Sequence, residues 1–358
     1  MSAEVTYRGK MDRERLEKLR VLQKDLPVIC TKFFHAVSQT TSTLTRLAYA
    51  YDFRIFFQYL CAESPVFGQF ERPELITAES LKQVTAHDIE EFQDYLMQYY
   101  KQTDNGQEVI ISNHELGIMR KLSSIRSLFE YLFKNGYLES NVTTLVQLPK
   151  LHQKPIIRLD QKEMEKMIHA ASTGDGLTQR QEKFHQLIGA RDYAMIMLFL
   201  GTGIRVSECV GINLGDIDFS MNAFMVTRKG GNQVILYFPD EVADALKAYI
   251  AEREKITPLP GSEDALFLSM QKKRMTQRAV QLMVKKYAAI ASPLKPKISP
   301  HKLRSTYGTN LYQETGDIYL VADVLGHADV NTTRKHYADM TDSRRREAAQ
   351  FVKLPGRK

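Results

Sequence analysis

Three short segments hold the residues whose types and spacing suit chemistry. GTGIRVSE runs from Gly201 to Glu208, HKLRSTYGT from His301 to Thr309, and LGHADVNTTRKHYA from Leu325 to Ala338. Together they supply two arginines, Arg205 and Arg304, two histidines, His301 and His327, and a tyrosine, Tyr337. That inventory suits attack on a phosphodiester without a metal. Guanidinium groups neutralise a developing phosphorane, and a phenol oxygen is a nucleophile able to displace a sugar oxygen.

A metal-dependent alternative has no support in the sequence. There is no HExxH, no paired cysteines and no carboxylate cluster near the histidines. GTGIR is not a phosphate-cradling GxGxxG followed by the rest of a Rossmann unit. No cofactor is therefore expected.

Such residues need a scaffold, and 358 residues suffice for two domains. Hydrophobic residues make up 43% and charged residues 25%, which argues against a disordered chain. Lys and Arg outnumber Asp and Glu by 49 to 42, a net charge of +7 that favours a polyanionic partner. The three cysteines, Cys30, Cys61 and Cys209, are scattered and form no CxxC, as expected of free thiols in a reducing compartment. The first twenty residues are polar and charged, and no run approaches the roughly 18 apolar residues of a membrane span. A cytoplasmic, nucleoid-associated protein with no membrane partner is the expectation.

The first 150 residues or so read as all-helical. Leu44, Leu47, Tyr51, Ile55 and Tyr59 recur at helical spacing after Thr41-Ser42-Thr43, and Ile89, Phe92, Leu96 and Tyr99 do so after Thr85, with Asp88 completing a capping box. A third stripe, Ile118, Leu122, Ile125, Phe129 and Leu132, stops at Asn135-Gly136. All three stripes are expected in the core, with a polar loop over Lys101 to Glu108 between the second and third. Leu148 to Arg158 holds two prolines and no helical period, so it reads as an extended linker.

Beyond the linker, Asp160 is placed to cap a helix through Ala170, followed by a polar insertion from Ser172 to Gln186. An apolar helix then ends at Gly201, and the next turn presents Arg205 at a helix start. From Ile217 to Phe238 the period becomes strand-like, with two apolar runs split by Lys229-Gly230-Gly231, a hairpin signal. Helices follow from Pro239, from Thr276 and on towards the C-terminus, broken at Pro293, Pro296, Pro300 and Gly316. The expected fold is mainly α with a small antiparallel β-sheet.

In these residues the chain resembles the tyrosine site-specific recombinases, which include phage integrases and the Xer proteins. Their pattern is an arginine in TGxRxSE, a lysine in a β-hairpin turn, HxLR, then LGH and a tyrosine shortly after TT. All five elements occur here in order between Gly201 and Tyr337. The N-terminal layout is similar to the single-component Xer recombinases of Gram-positive bacteria. Two departures stand out. Ser305 follows Arg304 where many members carry histidine, and Tyr337 lies ten residues after His327, as in many integrases of mobile elements.

The resemblance implies an N-terminal helical core-binding domain over 1–148, a linker over 149–158 and an α+β catalytic domain over 159–358. It assigns Tyr337 as nucleophile, leaving a 3′-phosphotyrosyl link and a free 5′-hydroxyl, with bond energy conserved and no ATP required. Arg205 and Arg304 are assigned to the non-bridging phosphate oxygens, which lysine cannot grip in the same paired geometry. Lys229 matches the general acid that protonates the leaving 5′-oxygen, His301 shares the tyrosine proton, and His327 donates to the phosphate. Glu208 is an orienting partner of Arg205.

A double-stranded DNA recombination site is the implied partner, held between the domains in a C-shaped clamp. Candidate contacts are Arg120, Lys121, Ser124 and Arg126 in the first domain. In the second they are Lys272, Lys273, Arg274, Thr276, Gln277 and Arg278, with Gln277 and Arg278 as base readers. Four copies on two sites are implied, coupled through a C-terminal segment containing Phe351, Val352 and Leu354, and an accessory protein is a further candidate partner. The implied biological tasks are chromosome-dimer resolution or mobile-element integration and excision. A type IB topoisomerase and a non-catalytic DNA-binding regulator remain as alternatives at this stage.

Overall fold

The computed structural model describes residues 7–102, 105–150, 157–228, 231–326 and 330. The chain divides into two compact units, Met1–Lys154 and Pro155–Lys358. Most of the expected linker, at 151–156, lies outside the described residues.

The first unit contains α1 (Tyr7–Leu22), α2 (Val28–Ala36), α3 (Thr43–Glu63), α4 (Ala86–Tyr95), β1 (Gln98–Gln102), β2 (Glu108–Ser112) and α5 (Glu115–Lys134). Local signals set the helix starts. The Ser42 side chain accepts from the Thr45 amide at 3.1 Å, and Thr85 and Asp88 form a reciprocal capping box at α4. Gly136 ends α5 in the left-handed region, φ 73°, where a side chain would be strained. The core is aromatic: Phe33, Phe53, Phe56, Phe57, Phe92 and Phe129 are all fully buried. Each such ring contributes roughly 1.5–3 kcal/mol over leaving it exposed.

Two expectations for this unit are corrected. It is not all-helical, because residues 98–112 form an antiparallel hairpin with Tyr100 opposite Ile110 and Tyr99 opposite Ile111. The Tyr-Tyr and Val-Ile-Ile runs favour strands, and Gly106 between them takes the left-handed region, φ 74°. The stripe expected on α3 is buried only in part: Leu47 and Tyr59 are buried and Ile55 packs against the core. Leu44 and Tyr51 are exposed, whereas Leu47, Ala50, Phe53, Phe57 and Leu60 face the core. Apolar residues surround this helix on most sides, so packing against α1 and α5 selects the face and periodicity does not. The α5 stripe is buried throughout.

The second unit contains α6 (Gln161–Thr173), α7 (Gln179–Thr202), α8 (Val206–Cys209), β3 (Ile217–Asp218), β4 (Ala223–Thr227), β5 (Gln233–Tyr237), α9 (Asp240–Arg253), α10 (Gln277–Ala291), α11 (Pro300–Thr315) and α12 (Ile318–Leu325). The three strands form one antiparallel sheet in the order β3-β4-β5. Helix α7 is central and packs against α6, α9 and α11. The polar insertion expected over 172–186 is largely helical: α7 starts at Gln179, with Thr178 and Gln181 in a capping box. A polar first two turns concealed a helix that becomes apolar only further along.

A buried polar cluster joins α7 to α10. The Asp192 carboxylate is fully buried and accepts from Arg191 at 2.7 Å, Lys286 at 2.9 Å and the Tyr287 hydroxyl at 3.1 Å. Arg191 also donates to the Leu268 carbonyl, and His185 bonds the Tyr287 hydroxyl. Replacing Asp192 with alanine strands two cations in this interior. Chemical denaturation of Asp192→Ala should register a loss of roughly 3–5 kcal/mol from the second unit.

Among the described residues no helix is long and apolar enough to cross a membrane.

Candidate active site

The site begins where α7 ends. Gly203 takes a left-handed conformation, φ 61°, and a Cβ there would run into the rings and methyls of Tyr307 and Leu325. Only glycine fits both demands. The turn buries Ile204 and places Arg205 at the start of α8, as expected from the sequence.

Glu208, itself buried, holds Arg205 at both ends. Its carboxylate accepts from the Arg205 guanidinium at 2.8 Å and from the Arg205 amide at 3.0 Å. The second guanidinium nitrogen of Arg205 donates to the Gly326 carbonyl at 2.8 Å. With both of these partners in place, Arg205 keeps a third of its side-chain surface exposed.

Arg304 reaches the same place from α11. Pro300 opens this helix, His301 lies exposed in its first turn, and Arg304 follows one turn later, buried to 6% exposure. Its guanidinium donates to the Gly203 carbonyl at 2.6 Å and to the Leu325 carbonyl. Thr306 ties α11 to the start of the unit by accepting from the Leu159 amide at 3.0 Å.

A third guanidinium completes the cluster. Arg228, at the end of β4, donates to the Val324 carbonyl at 2.8 Å and lies against Gly326, where a Cβ would strike it. Three successive carbonyls at the end of α12, those of Val324, Leu325 and Gly326, therefore receive Arg228, Arg304 and Arg205. The negative end of a helix dipole is a natural resting place for cations. The planar guanidiniums of Arg205 and Arg304, set side by side in this way, are matched to the oxygens of a phosphate.

Sequence reading singled out Arg205 and Arg304, which the fold brings together, and passed over Arg228. The only signal for Arg228 is its place beside Lys229 in TRKGG. Lys229, His327 and Tyr337 lie outside the described residues, as do Phe351, Val352 and Leu354. Two nearby tyrosines differ in setting. Tyr307 is half-buried and burial raises its phenol pKa, partly offset by Arg304, whereas Tyr319 is 71% exposed.

The basic residues singled out on α5 are engaged within their unit. Arg120 makes a paired bridge to the buried Asp52 at 2.5 and 2.8 Å, and Ser124 donates to the same carboxylate at 2.6 Å. Lys121 is buried and donates to Asn113 at 2.6 Å; burial, then the Arg120 charge, pulls its pKa below the usual lysine value. Arg126 donates to the Val146 carbonyl. In the second unit Arg274 is likewise tied inward, to the Val210 and Ile212 carbonyls and to Asn213. Thr276 caps α10 by accepting from the Ala279 amide at 3.2 Å. Lys272, Lys273 and Arg278 are exposed, and Gln277 is half-buried.

A helical unit with a short three-stranded sheet, ending in arginines gathered at one helix terminus, defines the catalytic fold of the tyrosine recombinases. Residues 157–344 match the phage integrase family. The tyrosine recombinase XerC of Caldanaerobacter subterraneus is 31% identical over 334 residues, covering 90% of this chain and 86% of its own length. The XerD of Oceanobacillus iheyensis is 30% identical, over 65% of this chain and 74% of its own. This chain belongs to the phage integrase family: it is a tyrosine recombinase, an enzyme of site-specific recombination.

Solved structures agree on the fold. A Tn1549 transposon integrase in complex with circular intermediate DNA superposes with a TM-score of 0.61 at 19% identity, over 87% of this chain and 95% of that one. A XerH site-specific recombinase bound to its difH substrate gives 0.61 at 21% identity, over 88% and 81%.

Proposed function

We propose that this recombinase binds double-stranded DNA recombination sites and exchanges strands through a 3′-phosphotyrosyl intermediate and a Holliday junction. The observation that carries the reading is the convergence of Arg205 and Arg304 on the end of α12, immediately before His327. In the reading, the scissile phosphate takes the place of the carbonyls and receives the guanidinium donors of both arginines.

Tyr337 then attacks phosphorus, the bond to the 5′-oxygen breaks, and Lys229 supplies the proton that oxygen needs. His301 and His327 handle the tyrosine proton and a phosphate oxygen. The reaction conserves one phosphodiester bond and draws on no metal ion or nucleotide. Four copies act on two sites, the C-terminal segment coupling neighbours. Lys272 and Lys273, exposed in the bend ahead of α10, and Arg278, exposed in its first turn, are the better placed of the candidate DNA contacts. The task is chromosome-dimer resolution or movement of a mobile element, and the spacing from His327 to Tyr337 favours the second.

The test is incubation of the full chain, in EDTA and without nucleotide, with a nicked suicide duplex taken from DNA flanking the gene. A denaturant-stable adduct whose linked peptide contains Tyr337 is expected, together with strand exchange between two labelled duplexes. Binding without an adduct would leave a DNA-binding regulator. An adduct that only reseals its own strand would indicate a topoisomerase.

A further inference from the structure

Arg228 belongs to none of the roles assigned so far, yet its side chain joins the end of β4 to the end of α12 at the arginine cluster. Its guanidinium donates to the Val324 carbonyl at 2.8 Å, and Gly326 leaves room for it by having no side chain. Its own backbone is fixed at the base of the hairpin turn. The Arg228 amide donates to the Asn232 carbonyl at 2.8 Å, and the Arg228 carbonyl accepts from the Gly231 amide at 3.1 Å. Both ends of this side chain are therefore anchored, one at the residue that precedes Lys229 in the sequence and one on the last turn of α12, which precedes His327 in the sequence.

We propose that Arg228 is a positioning residue for strand cleavage, bolting the end of β4 to the last turn of α12 so that leaving-group protonation and phosphate binding share one frame. The inference rests on the reading of Lys229 as general acid and of Arg205 and Arg304 as phosphate ligands. Two features favour positioning over direct phosphate contact. Arg228 is followed in the chain by the lysine, and its acceptor, Val324, is the innermost of the three carbonyls, further back along α12 than those of Arg205 and Arg304. A short β-hairpin gains little stability from its own few hydrogen bonds. A second anchor on a packed helix restricts where its tip stands, and a proton donor must lie within hydrogen-bond reach of the leaving oxygen.

The chemistry offers a selective readout. Cleavage breaks the bond from phosphorus to the 5′-oxygen, and that alkoxide must take a proton. If sulfur replaces the 5′-bridging oxygen, the bond from phosphorus to sulfur breaks instead and a thiolate departs unprotonated, since a thiol ionises near about pH 8.5. Loss of the acid, or of its positioning, then ceases to matter, while loss of a phosphate ligand still does.

The experiment measures single-turnover cleavage of matched oxygen and sulfur suicide duplexes by wild type, Arg228→Ala, Arg228→Lys, Lys229→Ala and Arg205→Ala. Arg228→Ala should cleave the oxygen substrate about 10- to 100-fold more slowly, less than the full effect of losing a general acid. On the sulfur substrate it should return to the wild-type rate, with DNA affinity and melting temperature close to wild type. Arg228→Lys, which keeps a donor for Val324, should recover part of the rate on oxygen.

An Arg228→Ala defect that persists on sulfur, or no defect on oxygen, overturns the proposal. If Arg228→Ala does not fold, Arg228→Lys carries the same comparison, and a defect there that sulfur fails to relieve also overturns it. Failure of the underlying reading is separately visible: wild type would then form no adduct on either substrate, or Lys229→Ala would gain nothing from sulfur.

Discussion

Tyr337→Phe should form no covalent adduct with a suicide duplex on which wild type accumulates one, while binding the same DNA within about two-fold of wild type. In the proposed reaction the phenol oxygen of Tyr337 is the atom that joins the protein to phosphorus, so the expected loss is complete. Binding is spared because it draws on many phosphate contacts, among which a single phenol counts for little. The same gel distinguishes Tyr337 from its neighbours. Tyr307 is half-buried with its phenol pKa raised by burial, which disfavours the phenolate needed for attack. Tyr319 is the exposed alternative, and Tyr319→Phe should cleave at the wild-type rate. An adduct from Tyr337→Phe, lost only when Tyr319 is also changed, would move the nucleophile to α12.

The second large effect is expected at Arg304. Electrostatic stabilisers of a developing charge are commonly worth on the order of 10²–10³ in rate, and Arg304→Ala should lower single-turnover cleavage by at least that much. Arg304→Lys is the sharper experiment. An ammonium keeps the charge but cannot make two parallel hydrogen bonds, so most of the loss should persist. The donors of Arg304 now bond the Gly203 and Leu325 carbonyls, and its removal also leaves buried acceptors unmatched. A fall in stability of about 1–3 kcal/mol should accompany the alanine variant. The two contributions separate cleanly, because a stability loss of that size leaves the protein folded at 25 °C with cleavage still abolished. Cleavage by Arg304→Lys at the wild-type rate would show that charge alone suffices and that paired donation to phosphate is not required.

Both expectations were legible before any coordinates, and so was most of the helix inventory. Caps are local: the Thr85–Asp88 box and the Asp160 cap each marked a helix start that the structure reproduces, with Glu163 completing a second box at Asp160. The α5 stripe and the strands around Lys229-Gly230-Gly231 followed from periodicity for the same reason. Periodicity did not find the 98–112 hairpin, whose strands are five residues each and follow directly on a helix. It also put Leu44 and Tyr51 of α3 in the core, because a helix apolar on several sides carries no unique stripe.

Amino-acid order alone settles which reactive groups are present, in what succession, and which local segments can hold them. It could not say where a long polar side chain ends. Arg120 and Ser124 read as a basic DNA-facing edge, yet they satisfy Asp52 some seventy residues earlier, since a buried carboxylate without donors is costly. Arg228 drew no reading of its own beside Lys229, yet it is held on Val324, nearly a hundred residues away. The gathering of Arg205, Arg228 and Arg304 on three consecutive carbonyls is a product of tertiary structure alone. Each of those guanidiniums needs acceptors in a place partly closed to water, and only the packing of α7, α11, α12 and the sheet brings that helix terminus within their reach.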